Sequence, residues 1–162
     1  MLDKFWKARR RAKNDFFHVL TPNESWKKTT DPFNGKQLLY PPSYSPEDAI
    51  SRAARARAGR LHEIILYPEH GNEWPLWDTL AGWTSSPEVY GLSQALTDDI
   101  SSWMQEWLTP ANINMSRPHP DKYVMLPRSW FAKGDEIADR IARETWHLGH
   151  VLSRFRGTAK PY

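Results

Sequence analysis

Nine tryptophans have to be accommodated by a chain of 162 residues. Each indole buries roughly 150–250 Å², and the apolar fraction is only 40%, so a few aromatic anchors carry much of any core the chain builds. The length fits one domain, since compact domains commonly hold roughly 100–150 residues around one core. Local pattern restricts the rings further. Trp103 and Trp107 stand four residues apart in a run where Leu96, Ile100 and Met104 repeat at helical spacing, which places both on the apolar face of a helix. Trp74, Trp77 and Trp83 lie in the turn-rich stretch Tyr67 to Trp83, where full burial of every ring is harder.

The remaining elements follow from caps, breakers and periodicity. Ser45-Pro46-Glu47-Asp48 is a helix start, with a serine cap, proline in the first turn and acids at the positive dipole end. That helix runs to about Ala58 and stops at Gly59, leaving an alanine-rich face beside Arg52, Arg55 and Arg57. Arg60 to Tyr67 is the best strand, expected at the centre of a sheet, and Pro75 to Asp78 a second one reached through a turn at Gly71-Asn72. Ser93 caps the Trp103 helix and Pro110 ends it. An irregular connection over 111–128, with a strand at Lys122 to Leu126, leads to a helix from Trp130 to about Trp146 and a strand from His150 to Phe155. Upstream, residues 2–17 form a basic amphipathic helix, and Pro22, Pro32, Pro41 and Pro42 keep the next segment an ordered loop with a short strand at Gln37 to Tyr40. The expected organisation is a single α+β domain: basic helix over 1–20, proline-rich loop over 21–45, α+β core over 46–155 and a loose tail over 156–162. A small, mostly antiparallel sheet would carry three to four packed helices.

Charge is divided along this chain. Residues 1–60 carry thirteen Lys/Arg and six Asp/Glu, net +7, whereas 61–162 carry nine and thirteen, net −4. Between Arg60 and Arg117 no lysine or arginine occurs, while Glu63, Glu69, Glu73, Asp78, Glu88, Asp98, Asp99 and Glu106 accumulate. Such asymmetry marks either an interaction surface or an ordinary solvated face. For a surface, Glu69, Glu73, Asp78, Glu88, Asp98, Asp99 and Glu106 would attract a basic protein over distance, and Trp74, Trp77 and Trp83 would anchor it. The basic third offers a different partner. Lys4, Lys7, Arg9, Arg10, Arg11, Lys13, Arg52 and Arg55 could contact nucleic acid, and the N-terminal helix could also meet an anionic membrane surface or merely pack with its basic face in water.

Chemistry finds less support. Cysteine is absent, which excludes disulfides, thiolate metal sites and cysteine nucleophiles and suits a reducing cytoplasm. The N-terminus has charges without a following apolar run, so it does not read as a secretory signal, and no stretch reaches the roughly eighteen apolar residues of a membrane span. His147-x-x-His150, and His62-Glu63 with Glu69-His70, could converge on a metal, but neither pair has helical i, i+4 ligand spacing, and no metal is expected. No Walker A loop, Gly-x-Gly-x-x-Gly or Gly-x-Ser-x-Gly occurs, and Asp98 and Asp99 diverge on their helix. No catalytic residue is assigned.

Trp74-Pro-Leu-Trp-Asp78, Gly82, Gly91-Leu-Ser with Leu96 and Trp103, and Gly134-Asp-Glu-Ile-Ala-Asp-Arg-Ile-Ala-Arg-Glu144 together resemble small cytoplasmic immunity-like proteins of bacterial toxin systems. The resemblance covers roughly residues 64–155. It implies a stoichiometric binder without a cofactor, whose acidic face covers a basic toxin domain.

Overall fold

The run His62-Glu63-Ile64-Ile65-Leu66 joins two β-branched residues to a leucine. In the computed structural model, which describes residues 15–82 and 84–162, it is an inner strand. The strands are β1 (Phe16–His18), β2 (Lys27–Thr30), β3 (Gln37–Tyr40), β4 (His62–Leu66), β5 (Leu76–Asp78), β6 (Val124–Leu126), β7 (Gly149–Ser153) and β8 (Ala159–Pro161), and the helices are α1 (Pro46–Arg57), α2 (Gln94–Met115) and α3 (Arg128–Glu144). The main sheet has the order β1-β7-β4-β5, while β2-β3 and β6-β8 form separate pairs. Strand β4 runs parallel to β7 and antiparallel to β5, and β6 runs parallel to β8. The domain is therefore α+β with three described helices, and its strand pairing is mixed, antiparallel for β1–β7, β2–β3 and β4–β5 and parallel for the other two pairs.

Two apolar clusters hold the layers together. The larger joins Ile64, Leu66 and Val151 of the sheet to Leu96, Ile100, Trp103, Met104 and Trp107 of α2 and to Trp130, Ile137 and Ile141 of α3. At its centre Trp103 and Trp130 stack nearly parallel, with centroids 4.4 Å apart. Each indole N–H donates to the other residue's backbone carbonyl, Trp103 Nε1 to Trp130 O at 2.9 Å and Trp130 Nε1 to Trp103 O at 3.1 Å. Two large rings thus enter the core without an orphaned donor. Phe155 closes edge-on against both rings, and Gly134 of α3 leaves room for this, since a Cβ there would lie 2.7 Å from the Phe155 ring.

The smaller cluster gathers Tyr40, Ala49 and Trp146, with Trp26, Leu38 and Tyr44 against them. Arg52 of α1 lies over the Trp146 ring, 5.1 Å from its centroid, and donates to the carbonyls of Trp146 and Gly149. The guanidinium so ties α1 to the end of α3 and the start of β7.

Several expectations need correction. Helix α1 begins where expected, with Ser45 as its N-cap in a Ser45–Asp48 capping box, and ends at Arg57 with Ala58 as its C-cap. Helix α2, however, continues through Pro110 to Met115. An internal proline costs about 3 kcal/mol, and here the added turn buries Ala111 completely in the larger cluster. The helix expected over 2–17 falls mostly outside the described residues, but its end is strand β1, which pairs with β7, and Phe16 and Phe17 are largely exposed. The polar segment β2 pairs with β3 where only β3 was expected. The tail is ordered too: β8 lies beside β6, with Ala159 buried.

Candidate functional site

Antiparallel pairing sets Asp78 opposite Ile64, so His62 lies two residues along on the same face of β4, a diagonal neighbour within side-chain reach. Asp78 is only 3% exposed and accepts three hydrogen bonds. His62 Nδ1 and Tyr90 O–H reach its Oδ2 at 2.6 and 2.9 Å, and the Leu80 N–H reaches Oδ1 at 2.8 Å. An ionised carboxylate only accepts, which places an imidazole proton on Nδ1 and leaves Nε2 outside that bond. Burial first, and then the neighbouring carboxylate, raises the Tyr90 hydroxyl well above the ordinary phenol range, so the phenol stays a donor.

This arrangement removes Asp78 from the expected attracting surface. Its carboxylate is a buried hydrogen-bond hub, not a surface charge. Asp99 is also committed: Arg140 and Lys133 hold it, the latter at 3.2 Å, and the Arg140 contact lowers its carboxyl below the usual range. The carboxylates of Glu69, Glu73, Glu88, Asp98 and Glu106 are exposed, and none makes an ion pair among the described residues. The β4–β5 loop that bears Glu69 and Glu73 lies on α2, where the His70 ring meets the Trp107 ring at 4.9 Å. Trp74 is half-buried against the larger cluster, and Trp77 is half-buried with its N–H donating to the Tyr67 carbonyl at 2.9 Å. Trp83 lies outside the described residues.

Of the expected nucleic-acid contacts, Lys4, Lys7, Arg9, Arg10, Arg11 and Lys13 also lie outside the described residues. Arg52 is corrected: its bonds to two backbone carbonyls and its place over Trp146 use the guanidinium inside the fold. Arg55, in the last turn of α1, is half-buried and makes no ion pair among the described residues.

The histidines do not converge on one centre, and among the described residues no three His, Asp or Glu side chains are grouped to hold a metal. His147 lies against the Tyr44 ring, and His150 beside Arg52. Burial lowers both imidazoles below their ordinary value, assisted by the Arg52 charge. A folded-state value below the unfolded one means that the unfolded chain binds more protons under acid conditions, so stability rises with pH up to the unfolded histidine value. Between about pH 5 and 7 the melting temperature should rise and then level. A His147→Gln/His150→Gln variant should show a shallower rise in thermal melts across that window, and an unchanged slope would contradict this assignment.

No described helix is long and apolar enough to cross a membrane. No family model matches the chain, and neither a curated protein nor a solved structure matches it.

Proposed function

We propose that the protein is a non-catalytic binder of a basic protein partner, of the immunity or inhibitor kind, acting in the cytoplasm. The observation that supports this most is the set of carboxylates on Glu69, Glu73, Glu88, Asp98 and Glu106, which are exposed and not neutralised by any described cation. Carboxylates left unpaired act over distance and speed the encounter with a basic surface, whereas half-buried rings such as Trp74 and Trp77 supply short-range contact. A toxin domain rich in lysine and arginine fits those requirements.

Reversing Glu69, Glu73 and Glu106 to lysine tests the reading without disturbing the fold, because exposed substitutions usually stay within about 0.5 kcal/mol. Association with the partner should slow by about tenfold or more and lose most of its dependence on ionic strength. Stopped-flow kinetics at several salt concentrations would show this, and unchanged rates would remove the steering role.

A further inference from the structure

A cleft of about 520 Å³ opens between α1 and the β4–β5 region, lined by Ser51, Ala54, Arg55, Arg60, His62 and Leu80. Its volume falls in the range of small-ligand sites, roughly 300–1,000 Å³. Three features give it a chemistry distinct from the acidic surface.

The first is charge. Arg55 and Arg60 make no ion pair among the described residues, and the Arg60 N–H donates to the Arg55 carbonyl at 2.9 Å, which holds their backbones together. Two cations outweigh the helix C-terminal dipole, roughly half an elementary charge, together with the single Asp78 carboxylate behind His62, so the lining stays cationic by a small margin. The second is orientation. Because His62 Nδ1 is held by Asp78 at 2.6 Å, Nε2 is the polar atom the ring can offer to the cleft. The third is support. Asp78 is itself held by Tyr90 and the Leu80 N–H, so the imidazole stands on a rigid buried anchor.

We propose that this cleft binds the terminal phosphate of a small phosphomonoester. Arg55 and Arg60 face the phosphate oxygens, as guanidinium does elsewhere with planar two-point contacts. His62 shares one proton with the ligand. Either the P–OH of the monoanion donates to Nε2, or the proton sits on the imidazole and Nε2–H donates to the dianion, with the Asp78 carboxylate balancing the imidazolium. The proton count is the same in both forms. A phosphodiester monoanion carries no such proton, and sulfate must draw it from solvent, so at about pH 8 both should bind more weakly.

The test uses the full chain and inorganic phosphate, phenyl phosphate, dimethyl phosphate and sulfate as probes. Two-dimensional ¹⁵N–¹H spectra of the imidazole nitrogens report His62 Nε2 directly, and titration gives affinity. Saturable shifts of the His62 signal by phosphate and phenyl phosphate are expected, with dimethyl phosphate and sulfate weaker by about tenfold. Arg55→Gln/Arg60→Gln, at side chains with no ion pair to lose, should keep the melting temperature and weaken phosphate binding by about tenfold or more. His62→Gln should also weaken phosphate binding, but because it removes a hydrogen bond from buried Asp78 and is expected to lower the melting temperature, the arginine double variant is the decisive one. Absence of a saturable shift, equal affinity for sulfate or dimethyl phosphate, or full affinity in the arginine double variant would each overturn the proposal. Because these probes involve no protein partner, the outcome is independent of the binder function proposed above.

Discussion

Gly149→Ala is expected to lower the melting temperature by roughly 10 °C or more. Strands β4 and β7 run parallel with His62 opposite Gly149, and a Cβ on Gly149 would press on the His62 carbonyl oxygen and lie 2.7 Å from its carbonyl carbon. The obstacle is backbone, which cannot swing aside as a side chain can. Relief requires separating the two inner strands of the main sheet, and with them the Arg52 bond to the Gly149 carbonyl. A loss of roughly 4 kcal/mol or more follows, a size reserved for core or backbone conflicts. For a domain of this length that lowers the melting temperature by roughly 10 °C. Gly157→Ala is the control, since nothing lies within 4 Å of a Cβ there, and its effect should be small. Circular-dichroism melts of the two variants separate the cases, and a Gly149→Ala protein melting with the wild type would contradict the parallel β4–β7 register.

Trp103→Ala should be nearly as damaging. The side chain is 1% exposed and stacks on Trp130, itself 1% exposed, so truncation opens a large cavity and costs about 3–5 kcal/mol. It also removes the indole donor from the Trp130 carbonyl. Trp103→Phe keeps most of the ring stack but not that donor, and the lost hydrogen bond costs about 1 kcal/mol before any cavity is counted. Urea denaturation should therefore rank wild type above Trp103→Phe and Trp103→Phe well above Trp103→Ala. Equal midpoints for wild type and the alanine variant would show that the reciprocal tryptophan pair does not sit at the centre of the core.

Elements specified by their own local chemistry were readable in advance, and those specified by distant partners were not. Ser45-Pro46-Glu47-Asp48 carries its cap, its proline and its acids within four residues, and α1 begins where they place it. Strand β4 has a β-branched run that no helix needs. By contrast Lys27-Lys28-Thr29-Thr30 shows no apolar alternation and becomes β2 because β3 lies alongside it. Phe16 and Phe17 suit a helical stripe as well as a strand, and β7 decides the matter. Pro110 is a reliable breaker only when nothing rewards the next turn, and the buried Ala111 does.

The acidic surface was legible as composition but not as membership. Asp78 counts as one carboxylate among many in the gap without cations, yet in β5 it alternates with Trp77 and shares the face of buried Leu76. That period of two was a usable signal for its burial. Its pairing with His62, sixteen residues earlier, depends on strand register, which no local pattern reports. Asp99 similarly looks free on its helix until α3 brings Arg140 to it. The cleft beside His62 needs α1, β4 and the end of β5 together, and no single segment announces it.

The central claim is that an unneutralised acidic surface recruits a basic protein. Its most direct test is to recover the tagged chain from its native cells after nuclease treatment, at low and moderate salt, with the Glu69→Lys/Glu73→Lys/Glu106→Lys variant beside it, and to identify bound material by mass spectrometry. The account predicts one basic protein near equal stoichiometry with the wild type, depleted at moderate salt and lost from the variant. Equal recovery by wild type and variant, or recovery only of material that nuclease removes, would contradict it and move the function to the basic N-terminal third.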